Sequence, residues 1–229
     1  MKRIGILGGT SAESTVSYYS RITREYTRRF GDFSYPEILI YSVSFQEIAD
    51  WQAQGNWDAI AAKMADAFQV LAAAGADVGL IAANTLHRVY DEVAGRSSIP
   101  LIHIVDAVAA AIHAAGCSTV GLLGTRYTMK ETFYSDRLAS HDIATLVPTD
   151  DQQEEIHRVI HEEIARGVLR PVSHDYYLRV IDSLTERGAE GIILGCTEIP
   201  LLVGEGDRAL PLFDTATIHA DAALEAALS

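Results

Sequence analysis

Gly75-Ala76-Asp77-Val78-Gly79-Leu80-Ile81-Ala82-Ala83-Asn84-Thr85 and Gly188-Ala189-Glu190-Gly191-Ile192-Ile193-Leu194-Gly195-Cys196-Thr197-Glu198 align without a gap. Each opens on Gly-Ala and a carboxylate, runs through an apolar stretch of strand length, and leaves it into a polar loop. A second pair lies upstream of the first at nearly the same offset: Ile4-Gly5-Ile6-Leu7-Gly8 matches Val120-Gly121-Leu122-Leu123-Gly124, and the aromatic pairs Tyr18-Tyr19 and Phe133-Tyr134 follow. A third pair, Ile99-Pro100-Leu101 and Leu210-Pro211-Leu212, leads in each case into an alanine-rich helix. Blocks repeated in one order at similar spacing mark an internal duplication.

Strand-like runs alternate with helix-like ones throughout. Ile4–Leu7, Glu37–Val43, Asp77–Ala82 and Leu101–Ile104 read as strands, as do Thr119–Leu123, Ile143–Val147, Gly191–Leu194 and Leu210–Phe213. Trp57–Ala74, Gln152–Arg166 and His174–Arg187 carry helical periodicity. This alternation predicts an α/β protein with parallel sheets covered on both faces. The repeats predict two pseudosymmetric Rossmann-like halves, residues 1–98 plus 211–229 and residues 99–210. Ligands of such sheets sit beyond the carboxyl ends of the strands, so the expected active site is a cleft between the halves, lined by the loops after Leu7, Ile81, Leu123 and Leu194.

Composition removes several classes of function. The chain has 229 residues, 48% of them hydrophobic, and a net charge of −13. That acidity argues against nucleic acid or an anionic membrane as partner, since both require a basic face. No apolar run reaches the roughly 20 residues of a membrane span. The start, Met1-Lys2-Arg3-Ile4-Gly5-Ile6-Leu7, enters a strand at once and has no signal-peptide layout, so a cytoplasmic location is expected. The two cysteines, Cys117 and Cys196, suit neither a disulfide framework nor zinc.

Cys196 follows a strand directly and precedes a helical turn. Unpaired backbone N–H groups there should favour the thiolate and lower its pKa, making it a base or nucleophile. Cys117 lies at the opposite end of its unit and reads as structural. The position that duplicates Cys196 is Ala83. Asn84 and Thr85 beside it are divided between substrate contact and helix capping. Gly8-Gly9-Thr10-Ser11 lacks the dinucleotide and P-loop spacings and reads better as a cradle for a carboxylate. Gly124-Thr125-Arg126-Tyr127-Thr128 is its counterpart. His157 and His161 are four residues apart, but Gln152–Arg166 is rich in charge and reads as a solvated face rather than a metal site. His87 is either a spare acid or base or a capping residue.

These same pieces resemble the aspartate/glutamate racemase family over essentially the whole chain. They are Gly8-Gly9-x-Ser11 with Glu13-Ser14-Thr15 and Tyr18-Tyr19, Ser42-Val43-x-Phe45-x-Glu47-Ile48, Asn84-Thr85-x-His87, Leu123-Gly124-Thr125-x-x-Thr128-Met129, Gly195-Cys196-Thr197-Glu198-Ile199 and Phe213-Asp214-Thr215-x-x-Ile218-His219. The resemblance implies a two-domain homodimer that needs neither PLP nor metal and acts on a small acidic amino acid. It also implies two cysteines, one on each side of the substrate. Cys196 matches the second; the first falls on Ala83, and Thr10 and Ser44 depart from the residues common in the family. On this reading Cys196 is the acid/base, Ala83 marks the missing base, and Glu198 orients the thiol or receives the substrate ammonium. Water, Thr85 or His87 would then stand in weakly for the missing thiol. Thr10, Gln52, Asn84, Thr85, Thr125, Thr128 and Thr197 are the expected substrate contacts. Two other functions remain open: a one-base decarboxylase or isomerase, since the chain resembles arylmalonate decarboxylase more distantly, and an amino-acid binder without turnover.

Overall fold

All eight expected strands form in the computed structural model, which describes residues 1–204 and 206–229. In chain order the first elements are β1 (Ile4–Gly8), α1 (Ala12–Phe30), β2 (Ile38–Ser42), α2 (Phe45–Ala53), α3 (Trp57–Ala73), β3 (Val78–Ile81), α4 (Tyr90–Arg96) and β4 (Leu101–Ile102). Then come α5 (Ile104–Ala114), β5 (Thr119–Gly124), α6 (Arg126–Lys130), α7 (Thr132–Ala139), β6 (Ala144–Leu146), α8 (Asp150–Glu162), α9 (Pro171–Glu186), β7 (Gly191–Gly195), β8 (Leu212–Asp214) and α10 (Thr215–Leu228). No helix among the described residues is long and apolar enough to cross a membrane.

The strands make two parallel four-stranded sheets, ordered β2-β1-β3-β4 and β6-β5-β7-β8. The second order is the first shifted by one set of four strands, as a duplication requires. Register repeats as well: Leu7 pairs with Ile81, and Leu123 with Leu194. β1, β3 and β7 are buried at every residue, which is why they read as unbroken apolar runs rather than as alternation. The carboxylates at the head of the first repeat have one task. Asp77 accepts a hydrogen bond from the Arg3 N–H at 2.7 Å, and Glu190 accepts from the N–H groups of Ser118 and Thr119 at 2.6 and 3.0 Å. Each satisfies backbone donors at the entry to its sheet's second-placed strand.

The chain divides into two units, Met1–Ile104 with Ala216–Ser229, and Val105–Thr215. The changeovers come later than the expected 98/99 and 210/211. β4 pairs with β3 and β8 with β7, so each four-stranded sheet is completed before the chain leaves it. The helix that follows then belongs to the other unit: nearly all of α5 to the second, nearly all of α10 to the first.

In the first unit, one face of the sheet packs on α2, α3 and α4 through residues including Ile48, Ile60, Met64, Phe68 and Val93. The other face packs Ile4, Ile6 and Leu80 on Tyr18 and Ile22 of α1 and on Ala220, Ala223 and Leu224 of α10. The alanine-rich character of α10 lets it lie close to that face. In the second unit Leu123, Ile192 and Leu194 pack on Ile156, Val159 and Ile160 of α8 and on Tyr177, Val180 and Leu184 of α9. Helix starts follow local chemistry: Ser11 caps α1 by accepting from Ser14 N–H, Thr149 and Gln152 make a capping box on α8, and Pro171 opens α9.

Candidate active site

In the second unit, β5 and β7 are neighbours and release their loops side by side, Gly124 pairing with Gly195. The absence of side chains permits this closeness. A Cβ on Gly195 would come within 2.8 Å of the Leu123 carbonyl, and one on Gly124 within 3.0 Å of the Gly195 carbonyl. The loop after β5 is held by Thr125, which caps α6 and shares a 3.2 Å contact with the Thr128 hydroxyl. Thr128 is fully buried, so it braces this loop.

The loop after β7 holds a buried thiol–carboxylate pair. Cys196 Sγ donates to Glu198 Oε2 at 2.9 Å, and the Thr197 hydroxyl donates to the same oxygen at 2.8 Å. Cys196 and Glu198 are 8% and 9% exposed. The expected thiolate is not the resting state. Burial, with the Glu198 carboxylate next, pushes the Cys196 thiol well above its ordinary value. The backbone N–H groups of Glu198 and Thr197 do pull the other way, as expected from the sequence, but they are outweighed. The helical turn that follows, Ile199–Leu201, is three residues long and its dipole is correspondingly slight. Cys196 is therefore a protonated thiol hydrogen-bonded to a carboxylate. Cys117 is buried near the carbonyls of Ala115 and Glu190, and burial raises its pKa too.

Sequence reasoning misjudged α8. Its buried side carries Gln153, Ile156, Val159 and Ile160, and His157 is half-buried beside it rather than solvated. His157 Nδ1 accepts the Arg126 N–H at 3.3 Å, which leaves it neutral, and burial lowers its pKa to about 4. His161 stacks edge-on at 4.4 Å. It is open to solvent on one side, with desolvation lowering its pKa and the Glu198 field raising it. The apolar spacing of Ile156, Val159 and Ile160 was the available signal. Of the cations the sequence offers for a carboxylate, Arg126 and Lys130 pair with Glu154, and Arg170 lies 3.8 Å from Glu163. Arg166 is exposed beside Gly167 and makes no ion pair among the described residues.

In the first unit β1 and β3 are adjacent, which brings the Thr10 loop beside the Ala83-Asn84-Thr85 loop. Ser14 Oγ donates to the Ala82 carbonyl at 2.9 Å and fastens the start of α1 to this loop. Gly9 turns the chain at φ 95°, where a Cβ would meet the Val43 carbonyl at 2.3 Å. Ala83 is half-buried, and Asn84 is buried without a side-chain capping bond to the helical turn Thr85–Val89. His87 takes the capping role: Nε2 accepts the N–H of Ile104, the first residue of α5, at 3.2 Å, and Nδ1 donates to the Ala83 carbonyl at 2.8 Å, so both ring nitrogens are engaged. Gln52 lies half-buried on α2, with no side-chain hydrogen bond among the described residues. Sequence reasoning did not foresee that His103 and His219 gather around His87. No group of three or more His, Cys, Asp or Glu among the described residues is arranged to hold a metal ion.

Residues 7–223 match the family model described as Asp/Glu/Hydantoin racemase. The chain is similar to the crystal structure of a candidate Asp/Glu racemase from Yersinia pestis, 43% identical with TM-score 0.95 and all of both chains covered. An aspartate racemase homologue from Pyrococcus horikoshii is 40% identical with TM-score 0.89, again over both whole chains. The broad specificity amino-acid racemase RacX of Bacillus subtilis is 24% identical over 93% of this chain and 92% of its own.

Proposed function

Because the chain belongs to the Asp/Glu/hydantoin racemase family, we propose that Cys196 moves the α-proton of a small acidic amino acid, aspartate or glutamate, without a cofactor. The carrying observation is the buried hydrogen bond from Cys196 Sγ to Glu198 Oε2 at 2.9 Å. In the deprotonating direction Glu198 takes the thiol proton and the sulfur takes the α-proton. In the reverse direction the thiol returns a proton to the substrate carbanion. A substrate ammonium brought beside the sulfur would lower the cost of the buried thiolate, so that binding itself switches the base on. The N–H groups of Thr197 and Glu198 would then stabilise the sulfur anion. Thr10, Asn84, Thr85 and Thr125 are the proposed carboxylate contacts, and Arg166, exposed and without an ion pair among the described residues, suits a side-chain carboxylate.

A second reading has its own support. The thiol rests in the donor state, and Ala83 offers no acid–base group at the duplicate position. Such a site protonates a carbanion from one side, as a decarboxylase or isomerase acting on a related carboxylate would. Each enantiomer of aspartate and glutamate, incubated in deuterium oxide and followed by NMR and polarimetry, separates the two. Exchange with inversion supports racemisation, and exchange with retention supports a one-base site. No exchange with either acid would overturn the proposed substrate class.

A further inference from the structure

The first unit contains a cluster of buried imidazoles whose bonds converge on the end of β4. His219 on α10 donates from Nε2 to the Ile102 carbonyl at 3.0 Å and accepts a hydrogen bond from the Tyr18 hydroxyl on Nδ1 at 2.9 Å. His87 accepts the Ile104 N–H on Nε2 and donates from Nδ1 to the Ala83 carbonyl. His103 lies between these two backbone attachments, its ring 4.7 Å from that of His87. The His87 and His219 rings are 5.7 Å apart, and Tyr90 stacks on His87 at 5.6 Å. All three histidines are at most 6% exposed.

This wiring leaves no room for a proton. A backbone N–H can be accepted only by an unprotonated ring nitrogen, so the Ile104 bond fixes His87 as the neutral Nδ1–H tautomer. The carbonyl of Ile102 fixes His219 as Nε2–H, and charging it would require Tyr18 to turn its hydroxyl hydrogen away. Among the described residues, the titratable groups facing the pair are Tyr18 from α1, Tyr90 from α4, His103 after β4 and each other, and none of these is a carboxylate. Burial lowers His219 to about 4 and, with the neighbouring imidazoles, holds His87 well below its ordinary range.

We infer that His87 and His219 form a neutral-histidine latch that positions the Ala83–Thr85 loop against the end of β4, and that acid opens it. The bond from His87 to the Ala83 carbonyl sets that loop's distance from β4, and the His219 bond holds the strand end to which His87 is tied. When the rings charge these two donor bonds persist, but the Ile104 N–H loses its acceptor on His87 and the Tyr18 hydroxyl its acceptor on His219, so the loop is no longer tied to the chain beyond β4. The latch goes beyond the proposed activity; only its consequence for catalysis rests on that reading, and the test below uses no substrate.

Histidine side-chain 15N NMR of the whole protein reads the tautomers directly. His87 should appear as Nδ1–H and His219 as Nε2–H, both unchanged as pH falls from 7 to 5. Hydrogen exchange, corrected for intrinsic rate, should show the Ile104 amide and residues 84–88 losing protection on acidification below pH 5, before the rest of the first unit. His87→Asn, which keeps a donor for Ala83 but is too short to bring its oxygen to Ile104, should lower Ile104 protection at least tenfold at neutral pH and leave residues 84–88 protected. His219→Gln, which keeps the donor to Ile102, covers the case of a poorly folded His87 variant and should retain strand-end protection to lower pH than wild type. A ring titrating near 6.5, the opposite tautomers, or Ile104 protection unchanged by His87→Asn would overturn the latch.

Discussion

Replacing Glu198 by glutamine keeps the size of the side chain and removes the charge beside Cys196. Two unit charges about 4 Å apart interact by about 4 kcal/mol at an effective dielectric of about 20, or about 3 pK units. The Sγ–Oε2 separation of 2.9 Å places the pair at or inside that distance. The glutamine amide can also donate to the thiolate, in the same direction. The Cys196 pKa in Glu198→Gln should therefore fall by up to about 3 units, while burial keeps it from falling further. Thiolate absorbance as a function of pH, in a Cys117→Ala background, measures this directly. Deuterium exchange at the substrate α-carbon should fall at least tenfold in the same variant, because the acceptor of the thiol proton is gone. A thiol whose pKa is unmoved or raised by Glu198→Gln would refute the account of Cys196 as a proton donor held by its neighbour.

Three other outcomes follow. Ala83→Cys restores a thiol at the duplicate position and should raise the rate of inversion relative to exchange with retention, read by polarimetry and NMR on one sample. Gly9→Ala should destabilise the first unit by about 2 kcal/mol or more, seen as a lower denaturation midpoint, because the added methyl meets the Val43 carbonyl at a positive φ. His219 contributes stability that is complete above its ordinary value of 6.5, falls as pH drops towards the folded value of about 4, and levels below it. The loss is about 3 kcal/mol, and a plot of unfolding free energy against pH should be shallower over that window in His219→Gln.

The fold was legible because β1, β3, β5 and β7 are wholly or nearly wholly buried and their apolar runs repeat with their loops. What the repeats could not show was where the chain changes units, since Leu101 and Leu212 look alike as strand starts and only their pairing decides the sheet. Cys196 stood out in the same alignment, as the one reactive side chain in a loop whose duplicate has a methyl. Its protonation state did not, because that depends on how far Cys196 and Glu198 are withdrawn from water. The charges along α8 masked the enclosure of His157, whose partner is a backbone N–H invisible in sequence. The gathering of His87, His103 and His219 needed elements far apart in the chain.

The exchange of α5 and α10 also says something about cutting and joining the chain. The second unit is one uninterrupted length, whereas the first waits for α10 to cover Ile4, Ile6 and Leu80. During synthesis the later-made unit can therefore finish first, leaving one face of the earlier sheet covered by α1 alone until α10 emerges. Because the Lys2 N–H already donates to the Ala227 carbonyl at 2.9 Å, a short linker would join α10 to β1. Opening the chain before Val105 would then give a circular permutant in which each unit is encoded without interruption.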